Sequence, residues 1–333
     1  MTYRLYGALG SPYSIKMRAL LRYRRIPHVW VQGRQGMELA QARLKTPVIP
    51  VLQYPDGSLA NDSTPLIHDL EARHHDRSVI PQDPGDAFLA ALIEDMADEW
   101  MTKWMFHYRW FRTRDQEMMS RWLAYDSLPG AGVDTVGAFA AAFRNRQVGR
   151  MAIVGCTPAN QPLIEGTAED FLAALDSQSP GRPFLFGGCP SLAEFAIHGQ
   201  LSQLAIDPTP SDMMRERFPF AMRWVENMHD LSGLEGAWDA PHAPASPLLT
   251  ALLALAGEVY LPFLAANARA VAQGADMVRF EARGCAYEQG VFKYQVKCLA
   301  ALRAAFTATP ASARARITPL LEEAGALAPL VAS

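Results

Sequence analysis

A small α/β domain with a mixed sheet, then an all-α bundle with extra C-terminal helices, is the fold class the sequence predicts. Three observations predict it. Strand and helix signals alternate over residues 1–80. The segment Ser78 to Gly85, with two prolines and a glycine, then interrupts the pattern. Beyond it apolar residues recur at helical spacing, which places layers of helix after a single small sheet.

The elements follow in order. Tyr3 to Leu9 reads as a strand that turns at Ser11-Pro12-Tyr13-Ser14 into a helix, Ser14 to Tyr23. Val29-Trp30-Val31 is a second strand, and Gly36 to Leu44 a short helix. Ile49 to Tyr54 is a strand opened by Pro50, and Pro55-Asp56-Gly57 turns it back to Ser58 to Ala60, because Pro fixes φ and Gly permits φ > 0. Ser63 to His74 closes the domain as a helix. The first long helix after the linker carries Leu89, Leu92, Ile93, Met96, Trp100 and Trp104, with His107 next, while Glu94, Asp95, Asp98 and Glu99 read as its solvated face. Ser191 to Glu194 is a capping box opening an apolar helix through Leu201. Asp239 to Pro244 is a second linker. Pro247 to Ala266 reads as a buried helix pair broken near Pro262, and Tyr287 to Phe306 as a later helix with Tyr294 and Cys298 on its apolar side. The predicted divisions are 1–80, 86–238 and a helical extension, 245–333, packed on the bundle.

Composition narrows the function. The 333 residues are 50% hydrophobic, enough to bury two cores, and the net charge of −3 gives no pull toward nucleic acid or anionic membrane. The run Lys16, Arg18, Arg22, Arg24 and Arg25 reads as a solvated helix face. Cys156, Cys189, Cys285 and Cys298 lack Cys-x-x-Cys spacing, so free thiols in a reducing compartment are expected rather than disulfides or a metal site. With no apolar signal segment at the start, the chain is expected in the cytoplasm.

The corner Ser11-Pro12-Tyr13-Ser14 carries the chemistry. It resembles the Cys-Pro-Tyr-Cys corner of glutaredoxins with both cysteines replaced by serine. Serine cannot exchange disulfides, but a hydroxyl at a helix N-terminus can donate to a thiolate that a ligand supplies. Pro50 stands at a strand start, where a cis peptide leaves the backbone before it free to pair with a ligand. Asn61-Asp62-Ser63 caps the next helix, offering an acceptor for an ammonium and N–H donors for a carboxylate.

Together these features resemble the glutathione S-transferase superfamily, with a thioredoxin-like N-terminal domain and a helical second domain. The phrase Phe184 to Glu194 looks like that family's second-domain capping motif with Glu194 where Asp is usual, and the resemblance covers about residues 1–235. It implies glutathione as co-substrate with no metal, Ser11 meeting the thiol, Ile49 and Pro50 pairing with the cysteinyl backbone, and Asp62 with Ser63 holding the γ-glutamyl end. Lys45 or Arg34 would meet the glycyl carboxylate, in a loop shorter than the family's usual one. Tyr13, Trp104 and Tyr108 would face a small apolar electrophile; Tyr13 and Ser14 are alternative thiol donors, and Tyr6 a core aromatic. The resemblance further implies a homodimer with no nucleic-acid or membrane partner. Two alternatives stand beside a transferase: a non-catalytic binding or assembly protein, and a glutathione-dependent isomerase or ether-cleaving enzyme.

Overall fold

The computed structural model describes residues 2–241 and 243–332. Met1 and Ser333, at the outer bounds of the expected divisions, and His242, in the second linker, lie outside the described residues.

Strand β1 (Tyr3–Gly7) is the spine of the N-terminal sheet. It pairs parallel with β2 (His28–Gln32) and antiparallel with β3 (Val51–Gln53), and β4 (Leu59–Asn61) pairs antiparallel with β3, giving the order β2-β1-β3-β4. Three helices, α1 (Pro12–Tyr23), α2 (Gln35–Arg43) and α3 (Ser63–Arg73), flank it. Alternation along the strands decides which side each helix takes. Leu5 and Leu52 join Leu20 of α1 and Leu70 of α3 in the main core, while Tyr6 and Val51 meet Ala40 of α2 behind the sheet. This is a thioredoxin-like layer.

Helix α4 (Pro84–Met96) starts where the Asp83 carboxylate accepts from the Gly85 and Asp86 amides, then passes through a π turn (Ala97–Met101) into α5 (Thr102–Phe111). The helices α6 (Thr113–Ser127), α7 (Val133–Val148), α8 (Gln161–Gln178), α9 (Leu192–Leu204), α10 (Pro208–Arg217) and α11 (Pro219–Met228) follow. Every residue of α9 is buried, which makes it the axis of the bundle. Its start is the capping box read from sequence, with Glu194 also accepting from the Leu185 amide at 2.6 Å. Gly199 of α9 lies against α1: a Cβ there would sit 2.6 Å from the Pro12 carbonyl, so only glycine permits this approach.

Both charged runs depart from expectation. Lys16 and Arg24 are buried rather than solvated; Lys16 Nζ donates to Glu94 at 2.5 Å and Asp98 at 2.7 Å, and Arg24 pairs with Glu71. Glu94 and Asp98 are therefore buried too, and Asp95 is shielded by Tyr260, whose hydroxyl donates to it at 2.5 Å. The reason is physical: the face that looks polar on α4 is the face that meets α1 and the extension, and pairing offsets the desolvation cost of each charge.

The extension also differs from the expected run of helices. Instead of a pair broken at Pro262, α12 (Pro247–Leu255) continues through a π turn (Ala256–Tyr260) into α13 (Leu261–Ala272). Proline lacks an N–H and crowds the carbonyl four residues back; the widened turn directly before Leu261-Pro262 absorbs both. By length and composition this helix could cross a membrane, with a mean hydropathy of 1.8, but 67% of that window is buried inside the protein. A hairpin follows where helix was expected from Tyr287: β5 (Met277–Ala282) and β6 (Cys285–Gly290) join through Arg283 and Gly284, both at positive φ. Helices α14 (Lys293–Ala308), α15 (Ala311–Glu323) and α16 (Leu327–Val331) end the chain. The hairpin docks through Asn160, whose side chain bonds both the N–H and the C=O of Glu288. Phe263, fully buried, meets Trp100, Phe280 and Tyr287 with ring centroids 5.6, 5.8 and 6.0 Å away.

These contacts make the extension part of the main core. Phe263→Ala is expected to cost about 3–5 kcal/mol through the cavity it leaves. Urea unfolding measures this directly; a loss under about 1 kcal/mol would mean that the extension is only loosely attached.

Candidate active site

Ser11 stands at the turn from β1 into α1. Its backbone is extended (φ −107°, ψ 116°), its Oγ accepts from the Ser14 amide at 3.3 Å, and Pro12 takes the first helical position. Capping uses a lone pair on the hydroxyl oxygen and leaves its proton free to donate. The helix dipole adds partial positive charge at the same point.

The Ile49–Pro50 peptide is cis. The Asn61 amide holds the loop before it, donating to the carbonyls of Thr46 at 2.6 Å and Val48 at 3.1 Å. Neither backbone polar group of Ile49 is paired among the described residues. Asp62 next adopts a left-handed φ of 75° and makes no side-chain capping bond to α3, so its expected cap is absent. Its carboxylate instead lines a cavity alongside Ser63.

Two cavities meet at Ile49. The first, about 270 Å³, is the more polar of the two, lined by Pro50, Asp62, Ser63 and Thr64 together with Asp95, Asp98, Glu99 and Tyr13. Tyr294 of α14 also lines it. The second, about 590 Å³, is mostly apolar and has Ser11 in its wall, with Met105, Phe106, Trp110, Phe139 and Phe143, and Arg34 and Arg146 among its polar members. A larger cavity of about 880 Å³ lies around Leu9, Leu123 and Trp122 and includes none of Ser11, Ile49, Pro50, Asp62 or Ser63.

Electrostatics in the polar cavity are set by burial. Desolvation raises Asp62 and Glu99, pushes Asp95 up to about 7, and, with Glu94 alongside, raises Asp98 as well. Lys16 remains charged: burial opposes its charge, but Asp98 and Glu94 outweigh that. One ammonium between two carboxylates balances only one of them, which is why the second favours its proton.

Several expected site residues sit elsewhere. Trp104 is fully buried, donating from Nε1 to Thr167 at 2.9 Å and packing on Phe171, and Tyr108 is buried beside Met213; neither lines the apolar cavity. Tyr13 belongs to the polar cavity, not the apolar one, and its hydroxyl is committed to the Asp98 carbonyl at 2.9 Å. Burial holds its phenol well above the usual range, so it stays protonated. Lys45 is exposed and lines neither cavity. Ser14 is buried, its Oγ packed where a Gly7 Cβ would come within 2.7 Å. Tyr6 donates to Gln53 behind the sheet. His107 lies 2.8 Å from Glu165 and stacks on Phe111.

The aromatic wall was missed for a geometric reason. The π turn at Ala97–Met101 adds a residue to the helix, rotating all later side chains by about 100° relative to a continuous 3.6 period. The face read forward to Trp104 and Tyr108 therefore stays in the core, and Phe106 and Trp110 reach the cavity. Phe139 and Phe143, one turn apart on α7 and stacked at 5.9 Å, carried a readable spacing.

A thioredoxin-like layer with a capped serine corner and a cis-proline loop, followed by helices, defines the class. Residues 5–78 match the family described as glutathione S-transferase, N-terminal domain. Solved structures with a similar fold include a glutathione S-transferase from Methylobacterium radiotolerans in complex with glutathione sulfonate (20% identity, 68% of this chain and 90% of that one, TM-score 0.40). Others are a glutathione transferase from Phanerochaete chrysosporium (12%, 68% and 96%, TM-score 0.48) and one from Ceriporiopsis subvermispora in complex with glutathione (14%, 68% and 98%, TM-score 0.46). No curated protein matches the chain.

The raised Asp95 has a consequence for stability. The folded state holds its proton up to about pH 7, against a model-peptide carboxyl near 3.8, so its contribution is full below about pH 4 and lost as pH rises through 7. Asp95→Asn should remove this slope. Urea unfolding of both proteins at pH 4, 5.5 and 7 is expected to show the parent losing ground relative to the variant as pH rises; parallel pH profiles would contradict the assignment.

Proposed function

We propose that this chain is a glutathione transferase that activates the glutathione thiol at Ser11 for attack on a small apolar electrophile. The observation that carries the reading is the meeting of the two cavities at Ile49, polar on the Pro50–Asp62–Ser63 side and aromatic on the Ser11 side. Glutathione in the polar cavity would pair its cysteinyl backbone with Ile49, beside Pro50. Its sulfur would then point toward Ser11 and the N-terminus of α1. Asp62 would accept from the γ-glutamyl ammonium, and Ser63, at the start of α3, would donate to the carboxylate.

The chemistry then needs only a lowered thiol pKa. The Ser11 hydroxyl and the helix dipole favour the thiolate, and a shift of two units corresponds to about 2.7 kcal/mol of preference for the charged form. The electrophile would rest against Phe106, Trp110 and Phe143, where a neutral apolar carbon can approach the sulfur. No protein thiol stands at the corner, which disfavours disulfide reduction. The reading assigns thiol binding to residues 1–80, the electrophile to 86–238, and a packed extension to 245–333, in a cytoplasmic homodimer.

Ser11→Ala should keep the fold and most glutathione affinity but lower turnover with a generic aryl halide by about ten- to a hundredfold, the worth of one hydrogen bond to a charged acceptor. Unchanged turnover in Ser11→Ala, with Ser14→Ala inactive, would move the thiol donor to Ser14.

Asp62→Ala and Ser63→Ala should each weaken glutathione binding by roughly tenfold while leaving the melting midpoint near that of the parent. Calorimetric titration reads both. Full affinity in both variants would remove this pair from the site.

A further inference from the structure

The polar cavity is not built from the N-terminal and bundle helices alone. Tyr294, on the first turn of α14, forms part of its wall, about 230 residues along the chain from Asp62 and Ser63. Tyr294 is held there from both sides. On one side Phe292 is clamped by the buried Asn267, which accepts from its N–H at 2.9 Å and donates to its C=O at 2.8 Å. On the other, Gln295 donates to Glu99 at 3.1 Å, and Glu99 itself lines the cavity. The turn carrying Tyr294 is therefore fixed, while Tyr294 itself is 55% exposed and its hydroxyl has no partner among the described residues.

A second observation marks this wall as a place for a ligand. Asp98 is 9% exposed and lines the same cavity; its Oδ2 meets Lys16, but its Oδ1 has no hydrogen-bond partner among the described residues. A buried carboxyl oxygen without a partner is costly, and a polar ligand group seated against this wall would offset that cost. An amino-acid end group, with an ammonium and a carboxylate on one carbon, offers both a donor and an acceptor to such a wall.

We infer that Tyr294 of the C-terminal extension is a glutathione-binding residue, its hydroxyl donating to the γ-glutamyl α-carboxylate. The inference rests on the proposed glutathione site and adds to it a contact from outside the two-domain unit. The phenol suits the role because it stays a neutral donor: burial, then Asp62 nearby, raise its pKa above the usual range. The extension is then part of the binding machinery, and the site is incomplete without it.

The test is calorimetric titration of the full chain with glutathione and with γ-glutamylcysteine, comparing the parent with Tyr294→Phe. The ring of this half-exposed residue is kept, so folding should hold. Affinity for both thiols is expected to fall about tenfold, with an unchanged melting midpoint. Tyr294→Phe binding as well as a binding parent overturns this inference and leaves the proposed site standing. A parent that binds neither thiol overturns the site reading itself. Weakened binding that comes with a lowered melting midpoint assigns Tyr294 to folding and also overturns it.

Discussion

The buried contact of Lys16 with Glu94 and Asp98 is the interaction on which the rest of the structure depends. Lys16 lies on the second turn of α1, so it fixes the helix whose N-terminus carries Ser11 against the helix that forms the floor of the polar cavity. Such a cluster is a poor source of net stability, since desolvating an ammonium and its acidic partners offsets most of their attraction. What it supplies is uniqueness: moving Lys16 away leaves two buried acids without their cation, so α1 has one acceptable seat. Gly199 sets that seat from the other side by letting α9 approach the Pro12 carbonyl. Ser11 is held by packing and charge at once, as a residue that must aim a hydroxyl requires.

The same acidic helix ties the extension to the site. Asp95 meets Tyr260, which ends the π turn of the extension, and Asp95 itself lies just before the π turn that leads into α5. Two widened turns thus sit on either side of one hydrogen bond. Each lets a long helix change face midway: the α4–α5 helix turns from the cavity floor to the aromatic wall, and the α12–α13 helix passes Pro262 without breaking. Deleting the extension would expose Trp100 and Asp95 together, removing both an apolar contact and a hydrogen-bond donor.

Local chemistry was legible in the sequence and long-range pairing was not. The Ser11-Pro12 corner, the Pro55-Asp56-Gly57 turn and the Ser191–Glu194 box are each decided within a few residues, and each forms as its residues dictate. Lys16 and Glu94 looked solvated because each lies on a polar stretch, and nothing local announces a partner 78 residues away. The hairpin at Arg283-Gly284 was hidden because its first turn residue is an arginine at φ 51°, where Asn or Asp is the usual signal. The aromatic wall was misplaced by one inserted residue, since a strict helical period cannot register a π turn. The apolar faces of the extension were legible; its part in the cavity wall was not, because Tyr294 reaches the cavity only once α14 is seated on Asn267 and Glu99.

A serine in this corner has a chemical logic that follows from the geometry. A cysteine at the same helix N-terminus would have its own pKa lowered and would compete with the bound thiol for the electrophile. Ser11 accepts the Ser14 amide and keeps its proton, so the helix end would stabilise charge on a bound thiol without creating a protein nucleophile. Placing that donor on the apolar cavity while the recognition groups line the polar one separates two tasks. Under the proposed function, binding strength would be set by Asp62, Ser63 and their neighbours, far from the sulfur, and thiolate stability at Ser11. Remote contacts would then hold the sulfur where a single hydrogen bond and a helix dipole suffice to activate it.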